Sequence, residues 1–364
     1  MKNYKFLLIV FLLFLSFWSF VFISQQVLQY KTKKSSQIPV STGINSLEKV
    51  NLGRVDQWIL LRGWDRANPV VLFLHGGPGA ALFPRARDIG VRLNLEKHFV
   101  MVYWEQRGTG KSFRSSIPEE SMTIEQLVND TIELATILTT RFKTRKIILV
   151  GRSFGSLIGI LTADQHPEFF LCFVGIGQMV YPLKNDTLSY HRTIKLAQRF
   201  NKKKALKELK KIGNPPYDPE QLINQRRWLT SFYHRIMAEK FNIKPQNQWK
   251  ILLATPEYSI LDIIRMGMDP FYSIKHLWNE KFYQINLFEQ IPRIEIPVYF
   301  IAGRYDYFTS SEIVADYYQK LKAPRGKHLI WFDQSGHQPE TEEPDLFYDV
   351  MVNQMLSNIN NDEN

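Results

Sequence analysis

The chain has 364 residues, 45% of them hydrophobic and 13% aromatic, which suffices for a large buried core and excludes global disorder. Its formal net charge is +11 and it has one cysteine, Cys172, so an internal disulfide is excluded. No basic and aromatic interleaving marks a nucleic-acid module and no His or Cys spacing suits zinc, so neither nucleic acid nor a metal is expected.

After Lys2 and Lys5, residues 6–23 are apolar apart from Ser16 and Ser19. That run is long enough to cross hydrocarbon and too long for a typical signal-peptide core. Residues 25–30 are bulky or polar where a signal peptidase needs small side chains, so residues 1–34 read as an uncleaved membrane anchor. Lys31, Lys33 and Lys34 balance the lysines before the run, and the body of the chain is expected outside the cytoplasm. Residues 35–41 read as a polar linker.

Strand-like runs follow at residues 57–62 and 70–74, the second wholly apolar, as a strand buried on both faces should be. It ends in His75-Gly76-Gly77-Pro78-Gly79. Another strand at 99–103 leads into Glu105-Gln106-Arg107-Gly108-Thr109-Gly110-Lys111-Ser112, where Glu105 and Arg107 are expected to brace the loop as a pair. A helix is expected from Thr123 toward Arg141, opened by a capping box of Thr123 with Gln126. The apolar run 146–150 then enters Gly151-Arg152-Ser153-Phe154-Gly155, and the helix-like residues 157–161 come next. A G-x-S-x-G turn between strand and helix is a nucleophile elbow, whose small residues let the chain turn sharply enough to expose the serine hydroxyl at a sheet edge. Further strands are expected at 169–175, 297–302 and 327–332, with a closing helix over 345–356. Cys172, inside the first of these, reads as a small buried side chain.

Strands alternating with helices predict an α/β fold with a doubly wound, mostly parallel sheet. The strand pattern lapses over residues 178–288, which have helical periodicities interrupted at Pro215, Pro216, Pro245 and Pro270. This segment is expected to be a helical cap inserted between the core halves 35–177 and 289–364, above the edge where ligands bind. It holds 19 Lys and Arg against 9 Asp and Glu, nearly the whole excess charge, densest at 202–211 where a solvated helix face is expected.

A serine hydroxyl needs a base, and the base needs a group to orient it. Asp306 follows the strand at 297–302, and His337 follows the strand at 327–332; of the eight histidines only His337 occupies a loop behind a late strand. Acyl transfer also needs donors for an oxyanion, for which the N–H groups of Gly77 and Phe154 are placed.

Together the His75–Gly79, Glu105–Ser112 and Gly151–Ser156 segments, with Gly303-Arg304-Tyr305-Asp306 and Ser335-Gly336-His337, resemble the motif set of the proline iminopeptidase-like α/β-hydrolases. The resemblance implies Ser153 as nucleophile, Asp306 as acid, His337 as base, Gly77 and Phe154 as oxyanion donors, a helical cap, and a cofactor-free acyl-enzyme route. The implied substrate is a small molecule or short peptide, an N-terminal prolyl peptide included. Arg152 and Phe154 depart from the residues usual around that serine, and the basic cap offers only scattered carboxylates such as Asp186, Glu257 and Glu280 to hold a substrate's amino terminus. The alternative is a catalytically silent protein of the same fold that binds a ligand.

Overall fold

The computed structural model describes residues 2–39, 41–268 and 271–363, so Pro270 and Val40 of the linker lie outside the described residues. Eight strands form one sheet: β1 (Ile44–Leu52), β2 (Val55–Gly63), β3 (Val70–Leu74), β4 (Val100–Glu105), β5 (Ile147–Arg152), β6 (Phe170–Ile176), β7 (Val298–Gly303) and β8 (Lys327–Phe332). Their spatial order is β1-β2-β4-β3-β5-β6-β7-β8. β1 and β2 pair antiparallel, as do β2 and β4, and all other neighbours run parallel. The mostly parallel sheet agrees with the expectation, and β1 is the strand that patterning did not reveal. It is an edge strand buried only at its ends, so its sequence INSLEKVNL lacks a sustained apolar period. Gly53 and Arg54, both with positive φ, turn it into β2.

Side chains alternate between the two faces of the sheet. Leu72, Leu74, Val102 and Leu149 join one buried cluster, while Val71, Phe73, Met101, Tyr103, Ile148 and Val150 join the other. Being buried on both faces is why β3, β4 and β5 read as unbroken apolar runs. Cys172 is fully buried in the second cluster, as expected.

Helix α1 (Lys2–Ser35) ends where the polar linker was expected to start. α2 (Ile124–Phe142) and α3 (Phe154–Gln165) flank β5. The box at the start of α2 is half formed: Thr123 accepts from Gln126 N–H, but the Gln126 amide turns to Asp130 at 2.8 Å instead of reaching back. Between β6 and β7 the described elements are all helices: α4 (Pro182–Arg199), α5 (Lys203–Ile212), α6 (Pro219–Phe241), α7 (Gln248–Ala254), α8 (Ile260–Met268), α9 (Tyr272–Leu277), α10 (Glu280–Tyr283) and α11 (Leu287–Gln290). In α5 only Ala205 and Leu209 are buried, which leaves its lysines on a solvated face. After β7 comes α12 (Ser311–Lys320). The chain closes in a short helix, a π-helical turn at Asp349–Met355 and a last helix, where one continuous helix was expected.

Candidate active site

β3 and β5 are neighbours although β4 lies between them in sequence, so the winding direction of the sheet reverses at this pair. A crevice opens outside the carboxyl ends of strands at such a point. The glycine turn leaves β3 there and the elbow leaves β5, with Leu74 in register with Gly151.

Ser153 has φ 54° and ψ −122°, a conformation that costs a side-chain-bearing residue about 1–3 kcal/mol and persists only where neighbours impose it. They do so here. Its N–H donates to Ile176 O at 2.8 Å, and the Ser156 hydroxyl and N–H both donate to its carbonyl, at 2.5 and 2.9 Å. A Cβ on Gly76 would come within 2.9 Å of Ser153 Cβ, so only glycine lets the two turns approach this closely. Phe154 is the first residue of α3, where N–H groups have no partner inside the helix. Gly77 has φ +122°, and a Cβ there would strike the N atoms of Gly79 and Ala80 at 2.5 and 2.7 Å.

His75 fixes this turn from beneath. Its Nδ1 lies 2.8 Å from Gly76 O, and its Nε2 accepts from Gln106 N–H at 3.1 Å, a pattern that assigns the neutral Nδ1–H tautomer. Burial lowers its pKa to about 4, so the ring is neutral near pH 7.

In the loops after β7 and β8, Asp306 Oδ2 and His337 Nδ1 are 2.8 Å apart. Asp306 also accepts the N–H groups of Phe308 and Thr309 and the Thr309 hydroxyl, at 2.8, 2.9 and 2.7 Å. Burial works to raise this carboxyl, but His337 and the Thr309 donors outweigh it and hold it below its ordinary value. Asp306 is not the cap of α12; Ser310 occupies that position, with no side-chain cap bond. A Cβ on Gly177, just past β6, would meet both Asp306 Oδ2 and His337 Cε1, while Ser153 is bonded to the adjoining Ile176. The Ser153 backbone and the Asp306 and His337 side chains thus all lie at the end of β6.

The His337 loop is held by residues that the sequence did not link to it. Tyr233 of α6 accepts the His337 N–H at 3.1 Å and donates its hydroxyl to Glu342. Arg152 Nη2 donates to His337 O at 3.1 Å, and Arg152 Nε lies 3.2 Å from Glu340 Oε1 as an ion contact without hydrogen-bond alignment. Nothing in local sequence links Arg152 to position 337, because only the sheet order brings them together.

Glu105 and Arg107 do not pair with each other as expected. Arg107 makes a buried ion pair with Asp130, at 2.9 Å. Glu105 accepts the N–H groups of Leu82, Phe83 and Lys111 at 3.1, 3.2 and 2.6 Å, and the Tyr258 hydroxyl. Burial pushes its carboxyl up to about 7 despite these donors. Among the carboxylates of residues 178–288, Asp186 is committed to Arg226 at 2.6 Å and Tyr283 at 2.9 Å, and Glu257 to Arg87 at 2.7 Å. Glu280 begins α10 on the surface.

The alpha/beta hydrolase fold model matches residues 69–344. The probable aminopeptidase YbaC of Bacillus subtilis is 32% identical over 323 residues, covering 86% of this chain and 97% of that protein. The proline iminopeptidase of Saccharolobus solfataricus is 23% identical over 337 residues, covering 88% and 94%. Among solved structures, proline iminopeptidase from Mycobacterium smegmatis superposes with a TM-score of 0.61 at 15% identity, over 86% of this chain and 99% of that one, a likeness of fold. The chain is therefore a hydrolase that belongs to the proline iminopeptidase-like α/β-hydrolases.

Proposed function

We propose that this chain is a serine hydrolase that cleaves an ester or amide through an acyl-enzyme, tethered to a membrane by α1, with residues 178–288 as its cap. Ser153 Oγ attacks the substrate carbonyl carbon while His337 Nε2 takes the hydroxyl proton. The proton then passes to the leaving group as the bond to the acyl carbon breaks. Water, activated by the same imidazole, releases the acid and restores Ser153. Asp306 holds Nδ1–H toward itself and stabilises the imidazolium, and the Gly77 and Phe154 N–H groups receive the oxyanion. The observation that carries this reading is a positive-φ serine between β5 and α3, its backbone bonded to the end of β6, where the Asp306–His337 pair at 2.8 Å also lies.

The full chain should take a fluorophosphonate label on Ser153, and Ser153→Ala should abolish the label and lower turnover by about 10⁴-fold or more. A label that persists in the variant, or none in the native chain, overturns the reading in favour of a silent binding protein. The relatives' names point to a peptide with a free amino terminus, yet Asp186 and Glu257 are already neutralised by arginines. That supports an uncharged acyl compound as substrate, and turnover of proline amides beside short-chain esters decides between the two.

A further inference from the structure

Exposed apolar side chains cluster at one corner of the molecule. On α8, Leu261, Ile264 and Met268 share one face at helical spacing, and all three are exposed, Met268 at 73%. Trp249 of α7 is 70% exposed, and Phe271 is exposed as well. The opposite face of α8 is used: Ile263 and Met266 pack on the core, and Asp262 accepts from Lys111 at 2.7 Å. Arg265 stands among the outward residues, and its long stem lets the charge reach Asp262 at 3.9 Å.

The occupant of this face follows from where α1 docks. The exposed apolar stretch of α1 from Lys5 to Ile23 rises about 28 Å, close to the roughly 30 Å hydrocarbon thickness of a bilayer. Within the next two turns Gln25 donates to Tyr258 O at 3.1 Å, and Gln29 donates to Thr255 O and Tyr258 O, both at 2.8 Å. Both glutamines are buried by this contact. Residues 255–258 join α7 to α8, so these two helices are bolted to α1 where it leaves the hydrocarbon, with no free linker between. Farther along α1, Lys33 and Lys34 line one pocket with Pro256 and Glu257, so the anchor stays against this connection past the glutamines. Behind the face is a cavity of about 270 Å³ lined by Trp249, Leu252, Ile263 and Met266 together with Gly79 and Gly108. Its rim at Gly267 is open, and its floor at Gly79 belongs to the turn that carries Gly77.

We propose that the outer face of α7 and α8 is a second bilayer-contacting surface, and that the cavity behind it takes the apolar chain of a membrane-resident acyl ester. The surface rests on reading α1 as a membrane span, and the cavity's role rests on the hydrolase reading. Burial of Trp249, Leu261, Ile264 and Met268 in lipid gives the corner the apolar partner that it lacks in water, and tryptophan is the side chain favoured at the membrane boundary.

The full chain in vesicles of phosphatidylcholine and phosphatidylglycerol tests this. Cysteines placed at Leu261, Ile264 and Met268 are spin-labelled, the native Cys172 being buried. Greater accessibility to oxygen than to a water-soluble nickel complex at all three positions is the expected result. Accessibility to the nickel complex overturns the proposal. So does protection from both accompanied by label-to-label dipolar coupling, which would make a second copy of the chain the occupant. In a second arm, the Leu261→Asp, Ile264→Asp double variant should lose at least tenfold in turnover of a long-chain ester in vesicles and keep its turnover of a soluble short-chain ester. Unchanged turnover of both, or equal loss of both, refutes supply of substrate from the bilayer. If the native chain turns over neither ester, the hydrolase reading fails, while the depth measurement still judges the surface.

Discussion

The loops at the ends of β3, β5, β7 and β8 and the corner formed by α1, α7 and α8 solve opposite problems. In the first region the exposed ends of strands are closed inward: Ser153, Asp306 and His337 are each fixed by hydrogen bonds from elements distant in sequence. In the second, hydrogen bonds hold the joint through Gln25 and Gln29 and the inner side of α8 through Asp262 and Lys111, while the apolar side chains of the outer face point outward. A site that handles protons needs rigid, satisfied polar groups, whereas a surface that meets lipid needs unsatisfied apolar ones. The two regions share Glu105, which holds the loop after β3 by its Leu82 and Phe83 N–H groups and meets the anchor side through Tyr258.

Short of removing the nucleophile itself, the comparison is broken most severely at Gly77. Gly77→Ala should lower kcat by about 10²–10³-fold, because the added Cβ displaces the proposed oxyanion donor, and steady-state kinetics on an ester will show it. Arg152→Met removes a donor from His337 O and leaves the buried Glu340 without its ion partner. It should cost about 3 kcal/mol of stability in urea melts and lower kcat with little change in KM. Adding Glu340→Gln should recover the stability and leave kcat low, which separates a positioning role from a purely structural one.

A pH titration of stability tests the shared residue. Glu105 has a folded pKa of about 7 against an ordinary 4.5, so between these values the native state binds more protons than the unfolded one. Stability from this group is therefore greatest at the acid end and falls, by on the order of 3 kcal/mol, as pH rises through that window. Glu105→Gln should flatten that slope in denaturation midpoints. Asp306 acts oppositely: its carboxyl lies below the ordinary 3.8, so its contribution is present above that value and lost as pH falls through the folded one. The smallest effect is expected at the joint. Gln29→Ala removes two hydrogen bonds and should raise amide exchange around residues 255–258 by about tenfold, leaving fluorophosphonate labelling of Ser153 unchanged.

Much of the core was legible because local pattern carries it. The apolar runs of β3 and β5, the G-x-S-x-G turn and the capping Thr123 each act within a few residues, and the α/β reading follows from their alternation. β1 was not legible, since an edge strand buries too little to leave a period, and the pairing of Glu105 with Arg107 failed because both found partners from other elements. The sequence by itself determined which residue types stand at the turns after each strand, and that residues 6–23 are apolar enough to enter a membrane. Only the tertiary structure decided that Tyr233, Thr309 and Arg152 hold the Asp306–His337 pair, and that Gln25 and Gln29 bind the anchor to the body. The physical reason is one of range. Backbone conformation and hydrophobic period are set by neighbours along the chain, whereas a hydrogen bond between residues 152 and 337 exists only after strand order has brought them together.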